Sequence, residues 1–204
     1  MDSATDIIQI GKHYIYAVPD LYKGNRLRTD ILSEEYFLYR WWFPSDSPIV
    51  RYLEDYIAKH PKDIDMKYVY ARLKKRVKEE TSDTGEKIQK TYYALYFGKS
   101  TNGRNRFGQH TRGPIKKSTL RETLLAVLSL KGETYTEERI SGELQKCYYE
   151  WMEFLEDDRE LIDSFEMMAI AIGYYPLNME GNTSISEEWK NSIMDKRKEL
   201  KDYK

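Results

Sequence analysis
The sequence predicts an α+β fold: a small, mostly antiparallel β-sheet flanked by helices, with an N-terminal β-hairpin extension and a segment inserted between its two principal strands. Three observations carry this. Two aromatic, apolar runs of strand length, 35–43 and 92–97, stop at Pro44 and Gly98, where a strand ends or a side-chain-free turn is allowed. Several longer stretches repeat apolar residues at helical spacing. The 204 residues are 40% hydrophobic, enough for the core of one domain with an appendage.

In chain order, 7–10 and 14–18 read as a hairpin around Gly11-Lys12, followed by a polar connection to residue 35. After the strand 35–43, Ser47-Pro48 opens a helix that runs through His60 and is stopped by Pro61. Residues 67–78 alternate as a strand, although Val69, Leu73 and Val77 also fit a helical repeat. As a strand this segment pairs with 92–97 across the polar loop 80–90 and presents an aromatic and basic ladder. A helix is expected over 102–112, and Thr119 with Glu122 has the spacing of a capping box opening a helix that ends at Gly132. A strand over 147–155, a helix over 157–172 and a last helix from about Ser186 complete the chain. The expected organisation is an extension over 1–34, a core over 35–182 with an insertion at about 44–89, and a C-terminal helix over 183–204 packed on that core.

Composition excludes several classes. A net charge of −1 is not that of a polycation coating nucleic acid, so any phosphate binding is local. Charge is indeed segregated: the stretch from Gly98 through Arg121 holds seven Lys or Arg and no acid, while 150–166 is acidic. One cysteine excludes a disulfide framework and a Cys-cluster zinc site, and His13, His60 and His110 lack metal-ligand spacing. The absence of a secretory leader pattern and of an 18-residue apolar run points to a cytoplasmic protein with no membrane partner.

The chemistry-bearing residues fall in two stretches. On a helix over 102–112, Arg106 and His110 project from one face a turn apart. A guanidinium suits two parallel bonds to a phosphate, and an imidazole can donate or relay a proton. In the second stretch Leu161, Ile162, Phe165, Met168, Ala169 and Ile172 form an apolar stripe, with Glu166 at its edge between Ile162 and Ile170. A carboxylate desolvated there calls for a cation, a donor or a proton. For each residue singly, a solvated helix face or a surface ion pair is the blander alternative.

Tyr96-Phe97-Gly98-Lys99, followed by Arg106 and His110, resembles the second motif and basic helix of the GIY-YIG endonuclease superfamily. Glu166 followed by Pro176-Leu177-Asn178 is similar to that family's metal-binding Glu and its Pro-x-Asn close. Phe37-Leu38-Tyr39 stands in the place of the first motif, with Tyr68-Val69-Tyr70 as the rival assignment. The resemblance implies a GIY-YIG-like core and a metal-dependent endonuclease acting on nucleic acid, DNA in particular. It implies Mg²⁺ or Mn²⁺ held by Glu166, with Tyr39, Tyr96, Arg106, His110 and Glu166 catalytic. Lys99, Arg104, Arg112, Lys116 and Asn178 are the expected substrate contacts. A GIY-YIG-like module that grips nucleic acid without cutting it, and a protein-interaction domain using a Tyr-rich face, are the competing readings. The oligomeric state stays open.

Overall fold
The computed structural model describes residues 13–32, 34, 37–81, 84–132, 136–153 and 159–202. Its elements in chain order are β1 (His13–Ala17), β2 (Tyr22–Lys23), β3 (Arg26–Leu27), β4 (Phe37–Pro44), α1 (Pro48–Lys59), α2 (Ile64–Arg72), β5 (Lys75–Thr81) and β6 (Lys87–Ser100). They continue with α3 (Gly103–Thr111), α4 (Thr119–Ser129), α5 (Glu137–Gln145), β7 (Tyr148–Glu153), α6 (Arg159–Ile172) and α7 (Glu187–Asp202). A five-stranded antiparallel sheet in the order β1-β7-β4-β6-β5 confirms the α+β class. Among the described residues no helix is long and apolar enough to cross a membrane.

The central strand β4 is buried along its whole length because both sheet faces are covered, so its large side chains run without alternation, broken by Arg40, whose charge pairs with buried Glu150 at 3.2 Å. On one face Phe37, Tyr39, Trp41 and Phe43 join the main core with Phe107, Leu124, Tyr149, Trp151 and Trp189. On the other, Leu38, Trp42, Ala94 and Phe97 meet Ile162, Ala169 and Ile170 of α6. Complete burial of each such side chain contributes about 1.5–3 kcal/mol. The sheet is thus gripped from two sides at the strand that carries Tyr39.

A bulge between β4 and β6 decides where Tyr96 points. Trp41 pairs with Tyr96 but Trp42 pairs with Ala94, so Leu95 is the extra residue. Side chains alternate along a strand, and without the bulge Tyr96 would share the face of Tyr92 and Ala94. The inserted residue flips the register and brings Tyr96 onto the Tyr39 side.

Several sequence expectations are corrected. Residues 64–72 are helical, capped by Asp63, whose side chain accepts from the Met66 N–H at 3.0 Å, and the strand expected over 67–78 begins only at Lys75. The helical repeat wins because Met66 and Val69 bury together on one face. Of the N-terminal hairpin, 7–10 lies outside the described residues. Residues 13–17 pair with β7, and among the described residues the N-terminal hairpin is β2–β3, turning at Gly24 with φ 58°. The cap of α4 is Ser118, one residue before the expected Thr119. On α6 the expected stripe is rotated: Leu161, Met168 and Ile172 are 41%, 38% and 44% exposed, and Ile162, Ala169 and Ile170 face the sheet. Glu166 therefore lies on the sheet-facing side.

Candidate active site
The site is built on the β4–β6 pair. Tyr39 lies directly across from Gly98, and a Cβ on Gly98 would stand 2.7 Å from the Tyr39 hydroxyl oxygen. Only glycine allows the ring to lie over that strand. Gly103 does the same for the first turn of α3, where a Cβ would fall inside the Phe37 ring. Two glycines thus let α3 and the Tyr39 ring close against the sheet.

On α3, which is capped by the Asn102 side chain accepting from the Asn105 N–H at 2.9 Å, Arg106 and His110 face inward. Arg106 Nε donates to the Tyr39 oxygen at 3.1 Å, and its Nη1 donates to Gln109 Oε1 at 3.2 Å. His110 Nε2 lies 2.7 Å from the same Tyr39 oxygen, and its Nδ1 lies 2.7 Å from Ser118 Oγ. The Tyr96 ring stands 6.3 Å from that of Tyr39 and 6.0 Å from that of His110. Burial pushes both phenols up, Tyr96 strongly, while the Arg106 charge pulls each back. Burial, aided by the charges of Arg106 and Arg121, pushes His110 well below the usual imidazole range, so the ring is neutral.

This last point predicts a pH dependence. An unfolded histidine takes up a proton below about pH 6.5, and buried His110 resists doing so. Stability is therefore full above about pH 6.5 and falls as pH drops below it, by up to about 1.4 kcal/mol per pH unit from this one group. Denaturant unfolding of the native protein and of His110→Gln between pH 7.5 and 5 checks it: the variant should lose that part of the slope. Parallel slopes would mean that His110 does not titrate differently in the folded state.

The outer edge of β6 carries the acidic half of the site. β5 covers β6 only as far as about Ala94, and beyond it other groups satisfy the strand's open hydrogen-bonding positions. Leu177 N–H donates to Leu95 O at 3.0 Å, and the Asn178 amide takes the Phe97 N–H at 2.9 Å and gives to the Phe97 carbonyl at 2.8 Å. Glu166 Oε1 accepts the Lys99 N–H at 3.1 Å. Its Oε2 lies 3.2 Å from Lys99 Nζ, which also donates to Asp163 Oδ1 at 2.7 Å. Asp163 and Glu166, three apart on α6, thus converge on one cation.

That convergence of carboxylates suits a divalent ion. Two hard carboxylates already share an ammonium, and Glu166 is 19% exposed, open to solvent on one side. Among the described residues no group of three or more His, Cys, Asp or Glu forms a closed cage. Mg²⁺ and Mn²⁺ suit such a site, being held by one or two carboxylates with water and phosphate completing the shell.

The structure brings together Tyr39, Tyr96, Arg106 and His110, with Glu166 and Lys99 at the next residue after Gly98. The rival Tyr70 lies on α2, its hydroxyl bonded to Glu54 and its ring against Tyr93. Arg104 and Arg112 each bond within the protein while staying at its surface. Arg104 binds Glu34 at 2.8 Å and the Leu32 carbonyl at 3.2 Å, and Arg112 binds the Asn25 carbonyl at 2.7 Å and lies 3.9 Å over the Tyr22 ring. Both tie residues 22–34 onto α3. Asn178 is 7% exposed, its amide engaged by Phe97. Lys116 is exposed, lining a cavity of about 420 Å³ with Glu122, Leu125 and Arg197. A separate groove of about 620 Å³ is lined by Arg104, Arg112 and Lys117 together with Asn102, Asn105 and Gln109.

Sequence reasoning missed three participants. Asp163 had a signal, its i, i+3 relation to Glu166. Ser118 was hidden behind Thr119, since both are good caps. Arg121 is 1% exposed and closes the C-terminus of α3, donating to the His110 and Thr111 carbonyls at 3.0 and 3.2 Å.

The family model described as the GIY-YIG catalytic domain matches residues 37–199. The chain therefore belongs to the GIY-YIG family, and its fold and family define a nuclease-type protein with nucleic acid as substrate. No curated protein and no solved structure shows a significant match to the chain.

Proposed function
We propose that this protein is a divalent-metal-dependent endonuclease that hydrolyses phosphodiester bonds in DNA. The observation that carries the reading is the convergence of Tyr39, Arg106 and His110 on one hydroxyl oxygen, with Glu166 bound one residue beyond Gly98. The Arg106 guanidinium holds the scissile phosphate through its Nη groups. Tyr39, with Arg106 donating to its oxygen, orients and deprotonates the attacking water, and Tyr96 and His110 fix that oxygen in place. Glu166, with Asp163 beside it, would hold the cation, and Lys99 balances the two carboxylates. When bound, the ion supplies positive charge to the phosphate and to the leaving oxygen.

Cleavage of plasmid and oligonucleotide DNA in Mn²⁺ or Mg²⁺, against an EDTA control, tests the proposal. Metal-dependent nicking supports it, and retained binding without cleavage in any divalent ion replaces it with the non-catalytic module. Arginine and lysine variants separate holding from cutting. Arg106→Ala should lower turnover by roughly 10²–10³, the scale for losing one donor to developing charge. Lys116→Ala should leave turnover intact and reduce the salt slope of binding by about one. Arg112→Ala should likewise weaken binding and lower its salt slope, with an added cost in stability from the lost Asn25 bond and Tyr22 contact. Equal affinity losses in all three would remove Arg106 from the phosphate.

A further inference from the structure
We infer that Ser118 is a positioning residue that fixes His110 as its Nε2–H tautomer, so that the imidazole donates to Tyr39 instead of accepting its proton. The argument is a hydrogen-bond count. Ser118 Oγ caps α4 by accepting the Arg121 N–H at 3.2 Å, and a backbone N–H can only donate. The serine's own proton then needs an acceptor. Ser118 is 1% exposed and His110 is fully buried, so solvent does not supply one. Among the described residues the one other polar atom bonded to Oγ is His110 Nδ1, at 2.7 Å. Nδ1 therefore accepts, and the ring hydrogen sits on Nε2. The opposite tautomer would bury a hydroxyl hydrogen with nothing to receive it.

The consequence reaches Tyr39. Its oxygen takes two fixed donors, His110 Nε2–H at 2.7 Å and Arg106 Nε–H at 3.1 Å, and against the burial that raises this phenol the Arg106 charge and a hydrogen bond from the Tyr96 hydroxyl pull it back down. Donors directed at an oxygen favour its ionised form, which is what a phenol needs to take a proton from water. His110 is thereby a fixed donor to Tyr39 rather than a general base. This consequence rests on the nuclease reading; the tautomer does not.

The test labels histidine with ¹⁵N and reads both ring nitrogens of His110 by NMR in the native protein, Ser118→Thr and Ser118→Ala, alongside steady-state cleavage. The native protein and Ser118→Thr, which keeps both hydroxyl and cap, should show Nε2 protonated and Nδ1 bare. Ser118→Ala leaves room for a water that can donate or accept, so its His110 should show mixed tautomers. Its kcat should fall roughly ten- to a hundredfold with KM unchanged, the scale for losing a group that orients a functional histidine. A native spectrum with Nδ1 protonated overturns the inference. So does a Ser118→Ala protein that loses rate while His110 stays wholly Nε2–H, since Ser118 would then act only as the helix cap. A native protein that shows the Nε2–H ring yet never cuts supports the tautomer and overturns only the nuclease reading.

Discussion

Glu166→Gln should abolish cleavage while leaving the protein folded and able to bind DNA. The amide keeps an oxygen that can accept the Lys99 N–H, the bond that docks α6 on the edge of β6. What it loses is the charge facing Lys99 Nζ at 3.2 Å. A hard divalent ion needs that charge, and Asp163, 57% exposed, cannot replace it alone. Turnover should fall by roughly a thousandfold or more, at or above the upper scale for one lost electrostatic partner and about 4 kcal/mol in barrier. The Lys99 ammonium is itself 37% exposed, so its pair with Glu166 adds at most about 1 kcal/mol to stability. Thermal unfolding should therefore move little, and DNA binding measured in EDTA should match the native protein. Calorimetric titration with Mn²⁺ separates the possibilities: the native protein should bind the ion and the variant should not. A variant that still cuts would put the metal site elsewhere, and one that unfolds would make Glu166 a structural tie.

The fold was legible where burial and pattern agree. The runs around Tyr39 and Tyr96, the helix capped by Ser47, and Arg106 and His110 a turn apart on α3 all appear as periodicity and spacing imply. The parts that were not legible share a physical cause: each depends on a partner distant in sequence. Nothing local says that Leu95 is an extra residue, because a bulge is defined by the strand opposite, yet it turns Tyr96 toward Tyr39. Likewise the bonds of Arg104 to Glu34 and of Arg112 to the Asn25 carbonyl join residues 70 and 87 positions apart, which no local pattern announces. Asn178 reads as a site residue from its motif, and the fold shows its amide taking the place of a neighbouring strand for Phe97. For Ser118 and Thr119 a cap preference alone could not choose between adjacent hydroxyls.

Tyr39→Phe should stop cleavage, whereas Tyr70→Phe should leave it unchanged. The first substitution removes one oxygen from the centre of the site and leaves the ring against Gly98. Arg106 Nε and His110 Nε2 both lose their partner at a wholly buried position, and an unsatisfied buried donor costs about 1–3 kcal/mol. Stability should drop by about that amount, a few degrees in Tm, with the fold kept because Phe37, Tyr96 and Tyr149 still pack around the ring. Turnover should fall far more than this cost explains, since the acceptor for the water's proton is gone. Tyr70 offers the matched control: its hydroxyl bonds Glu54, with Tyr93 beside it, on a half-buried face of α2, so its loss should change stability by about 1 kcal/mol. Cleavage, unfolding and DNA binding measured on both variants decide the matter. Should Tyr39→Phe cut at the native rate, the proton acceptor is another group, and Tyr96 is the next hydroxyl in reach. Should Tyr70→Phe be the inactive one, the first motif belongs to α2 and the cluster around Gly98 is structural.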